Sequence, residues 1–240
     1  MTPKVLPIVA LAGLLFTLLQ AAPAAAQPLP DERALIDGFE KIAFGTEIAG
    51  FFGSGRYIRK FDGPVRFHIE DRATKPRALE VRRFVRSLAR EIDGLRVGFA
   101  RGTRDANFIV HVVDRADYQG IGRRIHGSPF MRVPGDCIVR AQYGPAGIVR
   151  SDALIVSDEG DGLFRRCLIE EVLQGLGPLD DNPDAPNSVF NDRSTVGVFT
   201  RYDKIMLNML YDRRLKPGMD LAAARPLLPD LARSARRRVR

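Results

Sequence analysis

Arg166-Cys167-Leu168-Ile169-Glu170-Glu171-Val172-Leu173-Gln174-Gly175-Leu176-Gly177, followed at a short distance by Asp180, is the stretch on which the fold and any chemistry turn. It lies in a segment, 162–176, that reads as a helix. At about 100° per residue with Cys167 at zero, Glu170, Glu171 and Gln174 fall at about −60°, +40° and −20°. Leu168, Ile169, Val172, Leu173 and Leu176 fall between about 100° and 240° and form a core face. The polar stripe has two readings: a solvated surface, or the floor of a partly covered groove. The groove follows if Cys167 is bonded to Cys137 at the start of a strand, because chain then lies over the same face. Two adjacent carboxylates in such a groove are placed for perturbed ionisation.

The same spacing overlays H-E-x-x-H-x-x-G-x-x-H/D. In zinc peptidases with that motif, residues at i and i+4 reach one metal from one helix face. The intervening Glu activates the bound water, and the Gly turns the chain so that a third ligand returns. Here Glu171 and Gly177 are kept, while the ligand positions carry Glu170, Gln174 and Asp180. No histidine remains on the helix, and a neutral amide is a poor zinc ligand.

Working outward, Asp31 caps a helix through Thr46, with Leu35, Phe39 and Ile42 on one face. Gly50, Gly53 and Gly55 form a loop that does not fit G-x-G-x-x-G ahead of a helix, so a nucleotide site is rejected. Residues 65–70 alternate as a strand. Residues 77–93 form a helix striped by Val81, Val85, Leu88 and Ile92. Strands follow at 96–100 and 107–113, a helix near 115–125, and strands at 137–143 and 148–157. A polar loop covers 177–198. Thr200 and Asp203 form a capping box for a helix to Tyr211 whose Met206 and Met209 face the core. Pro226 and Pro229 are expected to break the last helical stretch before an arginine tail. This mixture predicts an α+β domain, a twisted sheet with helices on one side.

The chain has 240 residues, 45% hydrophobic and 28% charged, which excludes global disorder. Residues 1–26 combine Lys4, an apolar run from Val5 to Leu19, and small residues at Ala24 and Ala26, which reads as a cleaved signal peptide. The mature protein is then expected to be periplasmic or secreted, with no stable membrane span. In an oxidising compartment two cysteines pair more readily than they serve as a thiol nucleophile. A Cys137–Cys167 bond is worth roughly 3–4 kcal/mol in the chain-entropy model. The net charge of +8 loses only Lys4 with the leader. Arg82, Arg83, Arg86 and Arg90 on one helix, and the arginines of 233–240, form basic faces. Outside the cytoplasm, and without aromatic platforms, these predict no nucleic acid; a solvated tail or anionic envelope components fit better.

The block at Arg166–Gly177, together with Ser188-Val189-Phe190-Asn191-Asp192, Tyr202-Asp203-Lys204 and the run Leu210-Tyr211-Asp212-Arg213-Arg214-Leu215-Lys216-Pro217-Gly218-Met219, resembles a bacterial family of exported proteins, the domain-of-unknown-function family 2927. The resemblance spans roughly residues 60–220. It implies a zincin-like fold, related to metallopeptidases, with altered ligands; the family's own E-E-x-x-Q helix replaces H-E-x-x-H. It does not imply peptidase activity. The resulting division is a signal peptide at 1–26, an N-terminal helical extension at 27–62, a zincin-like domain at 63–219 and a basic tail at 220–240.

Other chemistry is sparser. His68 and His111 lack the spacing of a strand-borne metal pair, so no metal is expected. Asp180, Asn182 and Asp184 open like a calcium loop, but Ala185 and Asn191 stand where that loop needs Gly and Glu. Calcium is thus the one cofactor left open. No G-x-S-x-G elbow occurs. The leading expectation is a non-catalytic binding or scaffolding domain for a peptide or envelope component. Its groove would be lined by Glu170, Glu171, Gln174 and Asp180, beside a peptide-pairing edge strand at 148–157. The alternative is a divergent hydrolase with Glu171 as general base.

Overall fold

The computed structural model describes residues 29–45 and 56–239. The expected signal peptide, the loop at Gly50, Gly53 and Gly55, and Arg240 lie outside the described residues. Among the described residues helices and strands interleave in an α+β arrangement: α1 (Glu32–Phe44), β1 (Val65–Asp71), α2 (Ala78–Glu91), β2 (Val97–Phe99), β3 (Phe108–Val113), α3 (Arg115–His126), β4 (Cys137–Gly144), β5 (Gly147–Val156), α4 (Asp161–Gln174), α5 (Arg201–Leu210), α6 (Leu221–Ala224), a 3-10 turn and α7 (Leu228–Arg238).

The five strands form one mixed sheet ordered β2-β1-β3-β5-β4. β1 pairs in parallel with β2 and β3, and β3 with β5, whereas β4 pairs antiparallel with β5 through a tight hairpin. β5 is therefore paired on both sides, and the expected edge strand at 148–157 is corrected: the edges are β2 and, beside β5, β4. Its composition fits, since Arg140, Gln142 and Tyr143 interrupt it, while Ala153-Leu154-Ile155-Val156 of β5 is apolar towards both faces and buried.

Side-chain alternation divides the sheet. Phe67, Phe108, Val110, Val112, Ala153 and Ile155 join the large core with α1, α2, α4, α5 and α7. On the other face Val113, Leu154 and Val156 pack with Tyr118 and Ile121 of α3 as a smaller cluster, so helices cover both faces of the sheet and not the one side expected. The α2 stripe Val81, Val85, Leu88 and Ile92 is fully buried, as its period demands. The capping box of α5 is present: Thr200 Oγ1 accepts from the Asp203 backbone N–H, and the Asp203 carboxylate accepts from that of Thr200.

Residues 220–240, expected as a solvated basic tail, behave differently. Pro229 stands in the first turn of α7, where its missing N–H has no partner to lose, so it starts the helix rather than breaking it. Leu228, Leu231, Ala232 and Ala235 are buried in the large core, against α1 and α5. The arginines ride on the outer side, where Arg233 pairs with Glu32 and Arg238 with Asp93.

Candidate functional site

α4 is buried on most of its circumference. Its apolar half packs on β5, and Cys167, on the opposite stripe, is bonded to Cys137 at the start of β4 with a Cα–Cα distance of 5.7 Å. The staple brings the start of β4 over the polar stripe, so this stripe is largely covered and not a solvated surface. Glu171 retains 4% of its exposure, and Glu170 and Gln174 are half-buried.

The electrostatics follow from that cover. Burial pushes the Glu170 carboxyl up to about 7, with Arg166 opposing and Asp192 adding to the push. Burial, then the charges of Glu170 and Asp192, hold Glu171 well above the usual carboxylate range. The Nε of Arg166, one turn earlier, is buried without a hydrogen-bond partner. A carboxyl kept protonated in this way can donate one hydrogen bond to a ligand or release a proton into the groove.

Ligand atoms of Cys137, Glu170 and Glu171 lie within 4.8 Å of one another. The sulfur of Cys137 is committed to the disulfide and is not a thiolate ligand. Asp180, the third ligand position of the motif, does not complete this group: it is buried and paired with Arg59 at 2.6 Å. The donor set therefore does not fit zinc. It offers two carboxyls whose ionisation burial disfavours, Glu171 more strongly than Glu170, an amide at Gln174, and an aspartate paired with a guanidinium.

The motif glycine keeps its structural role. Gly177 has φ 143°, and a Cβ there would stand 2.2 Å from the Arg59 carbonyl oxygen, so the turn after α4 admits no side chain. Asn182 donates to the Tyr202 hydroxyl at 2.9 Å, and Asp184 pairs with Lys41. With Asp180 on Arg59, the three residues of the calcium reading each hold the loop to a different neighbour. Ser188 donates to the buried Asp203 carboxylate at 2.6 Å and ties the same loop to α5.

His68 and His111 sit on one face of neighbouring strands, but His111 is taken by carboxylates, Glu70 at 3.1 Å and Asp152 at 3.0 Å. Asp192 and Arg166, which set the field at Glu170 and Glu171, escaped the sequence reading. Asp192 is far along a loop without periodicity, and only the quoted family block containing it pointed there. No curated protein and no solved structure matches the chain significantly. One family does: that described as "Protein of unknown function (DUF2927)" matches residues 32–230. This range extends past the expected block into α1 at one end and α7 at the other. The chain belongs to this family.

Proposed function

We propose that this protein is exported and that its fold is a zincin-like frame which has lost metal hydrolysis and binds an extended peptide segment of an envelope component. The observation that carries the reading is the pairing of an edge strand with an altered motif helix. β4 is the antiparallel edge of the sheet and is stapled by Cys137–Cys167 to α4, at the turn preceding Glu170 and Glu171. An open edge offers backbone N–H and C=O groups to an added strand, and the side chains of alternate residues give selectivity. Glu171 and Gln174 would then supply neutral donors and acceptors below the bound segment, and Glu170, held at about 7, a carboxyl that is in part protonated at neutral pH. The leader-like residues 1–26 and the disulfide both support an oxidising destination.

The test starts with protein recovered from the exported fraction of expressing cells, whose N-terminal sequence is expected to begin at Gln27. After dialysis against zinc at neutral pH, elemental analysis should find far less than one zinc per chain. Hydrolysis of an unstructured protein such as casein should be absent in both the parent and Glu171→Gln. Stoichiometric zinc, or proteolysis that Glu171→Gln removes, would overturn the reading in favour of a hydrolase.

A further inference from the structure

The sheet face turned away from α4 holds a second constellation, unrelated to the peptide groove. Beside the small cluster under α3 lies a cavity of about 280 Å³. Its floor is the row Glu70, His111 and Asp152 on β1, β3 and β5. Both nitrogens of the His111 ring face carboxylate oxygens, Glu70 at 3.1 Å and Asp152 at 3.0 Å. Arg150 forks onto Asp152 at 2.8 and 3.1 Å, and Arg72 reaches Glu70 at 3.3 Å. Burial pushes the Asp152 carboxyl up, but the bonds from His111 and Arg150 outweigh it and hold it below the usual range.

The network is packed against the apolar side chains Ile109, Val113 and Leu154 of the same sheet face, towards the strand ends that carry His68, Arg140 and Gln142. Well-packed apolar side chains at these positions would be as stable or more so, so its presence inside a cavity points to a ligand. The geometry narrows the kind. The two carboxylates stand on opposite nitrogens of one ring, so one cation cannot collect both along with the imidazole. Among the described residues no hydroxyl or thiol lines the cavity, and its carboxylates and imidazole are engaged with one another and with arginines. Each carboxylate already has two partners within the chain, whereas the guanidinium of Arg124, an exposed residue of α3, makes no hydrogen bond or ion pair among the described residues. The unbalanced charge at the cavity is therefore positive. Ile121, Ile125 and Val113 form an apolar wall beside it.

We propose that this cavity binds a small organic anion whose carboxylate or phosphate head sits among Arg72, Arg124 and Arg150, with a short apolar body against Ile121 and Ile125. The cavity is at the small end for ligand sites, which suits a molecule of roughly ten non-hydrogen atoms. Guanidinium groups match both head chemistries.

The mature protein, isotopically labelled, is titrated by NMR with hexanoate, hexyl phosphate and, as the uncharged counterpart, hexanol. Saturable shifts confined to amides around 70–72, 109–113, 121–125 and 150–152 are expected with at least one anion and not with hexanol. The stronger of the two anions identifies the head. Arg124→Ala should weaken that binding at least about tenfold, while its unfolding midpoint stays at the parent value because the Arg124 side chain makes no hydrogen bond or ion pair among the described residues. Arg83→Ala, which removes the same charge from the exposed side of α2, should leave binding unchanged. The proposal is overturned if neither anion gives saturable shifts, if hexanol shifts the same amides equally, or if Arg124→Ala binds as the parent does.

Discussion

Glu170 and Glu171 are two adjacent carboxyls that folding takes out of water, and the consequence is a stability that depends on pH. Below pH 4.5 Glu170 is protonated in both the folded and unfolded chain. As pH rises past 4.5 the unfolded chain ionises freely, while the folded carboxyl holds its proton until about 7. The folded state thus binds more protons across this window and loses stability with rising pH. Glu170→Gln removes the ionisation, so the loss between pH 4.5 and 7.5 should shrink by about 2 to 3 kcal/mol. Glu171→Gln acts in the same direction, over a window reaching to higher pH. Denaturant unfolding at intervals from pH 4 to 8 reads both; parallel profiles for parent and variants would mean that the groove is wet. Asp203, which burial raises to about 6 against the bonds from Ser188 and Thr200, keeps its own decline between 3.8 and about 6 in every variant. At this scale the sequence was half legible. Helical spacing put Glu170, Glu171, Gln174 and Cys167 on one stripe, and the cysteine count suggested what covers it. It could not show that Asp180 would turn to Arg59 while Asp192 approached instead, because loop 177–200 has no period from which to read a direction.

The elements were more legible than their neighbours. Period 3.6 placed α2 and α4, period 2 placed β1, and the Thr200–Asp203 box placed the start of α5, each close to where the backbone has them. Strand order is not carried by periodicity, which is why β5 was taken for the edge. The continuous apolar run at Ala153–Val156, against Arg140, Gln142 and Tyr143 in β4, was the signal that distinguishes an interior strand from an outer one. The edge position gives the disulfide its weight. β4 is held by one strand partner and by a cross-link that closes a loop of 30 residues. Replacing both cysteines by Ala should lower stability by about 3 kcal/mol in the chain-entropy model. It should also speed amide exchange in β4 far more than in β1 or β3, which are paired on both sides. Denaturant midpoints and hydrogen exchange of the parent and the double variant check this; equal acceleration in all strands would show that the bond stabilises the whole chain without pinning the edge.

For the whole molecule, the decisive fact is that the first and last helices of the described residues close the same core. α1 and α7 lie against each other and against α5, so residues that read as an extension and a tail cover one side of the large cluster. Composition concealed this. Arginines dominate the end of the sequence, and the four apolar positions Leu228, Leu231, Ala232 and Ala235 are spaced as one helix face, but two of them are alanines that add little to any hydrophobic pattern. The two readings make opposite demands. If the segment were a solvated tail, Leu231→Ala would change nothing. With Leu231 sealed between α1 and α5, the substitution should cost about 2 to 5 kcal/mol. Arg236→Ala and Arg237→Ala, both exposed, should stay within about 0.5 kcal/mol of the parent. Ending the chain at Leu227 would uncover the faces of α1 and α5 that pack on α7, and should leave a protein with no cooperative thermal transition. Thermal and denaturant unfolding of these four proteins decides it: a truncated chain that melts like the parent would return 228–240 to the role of an appendage, whereas its loss makes the family's matched range, which reaches into α7, the extent of one folding unit.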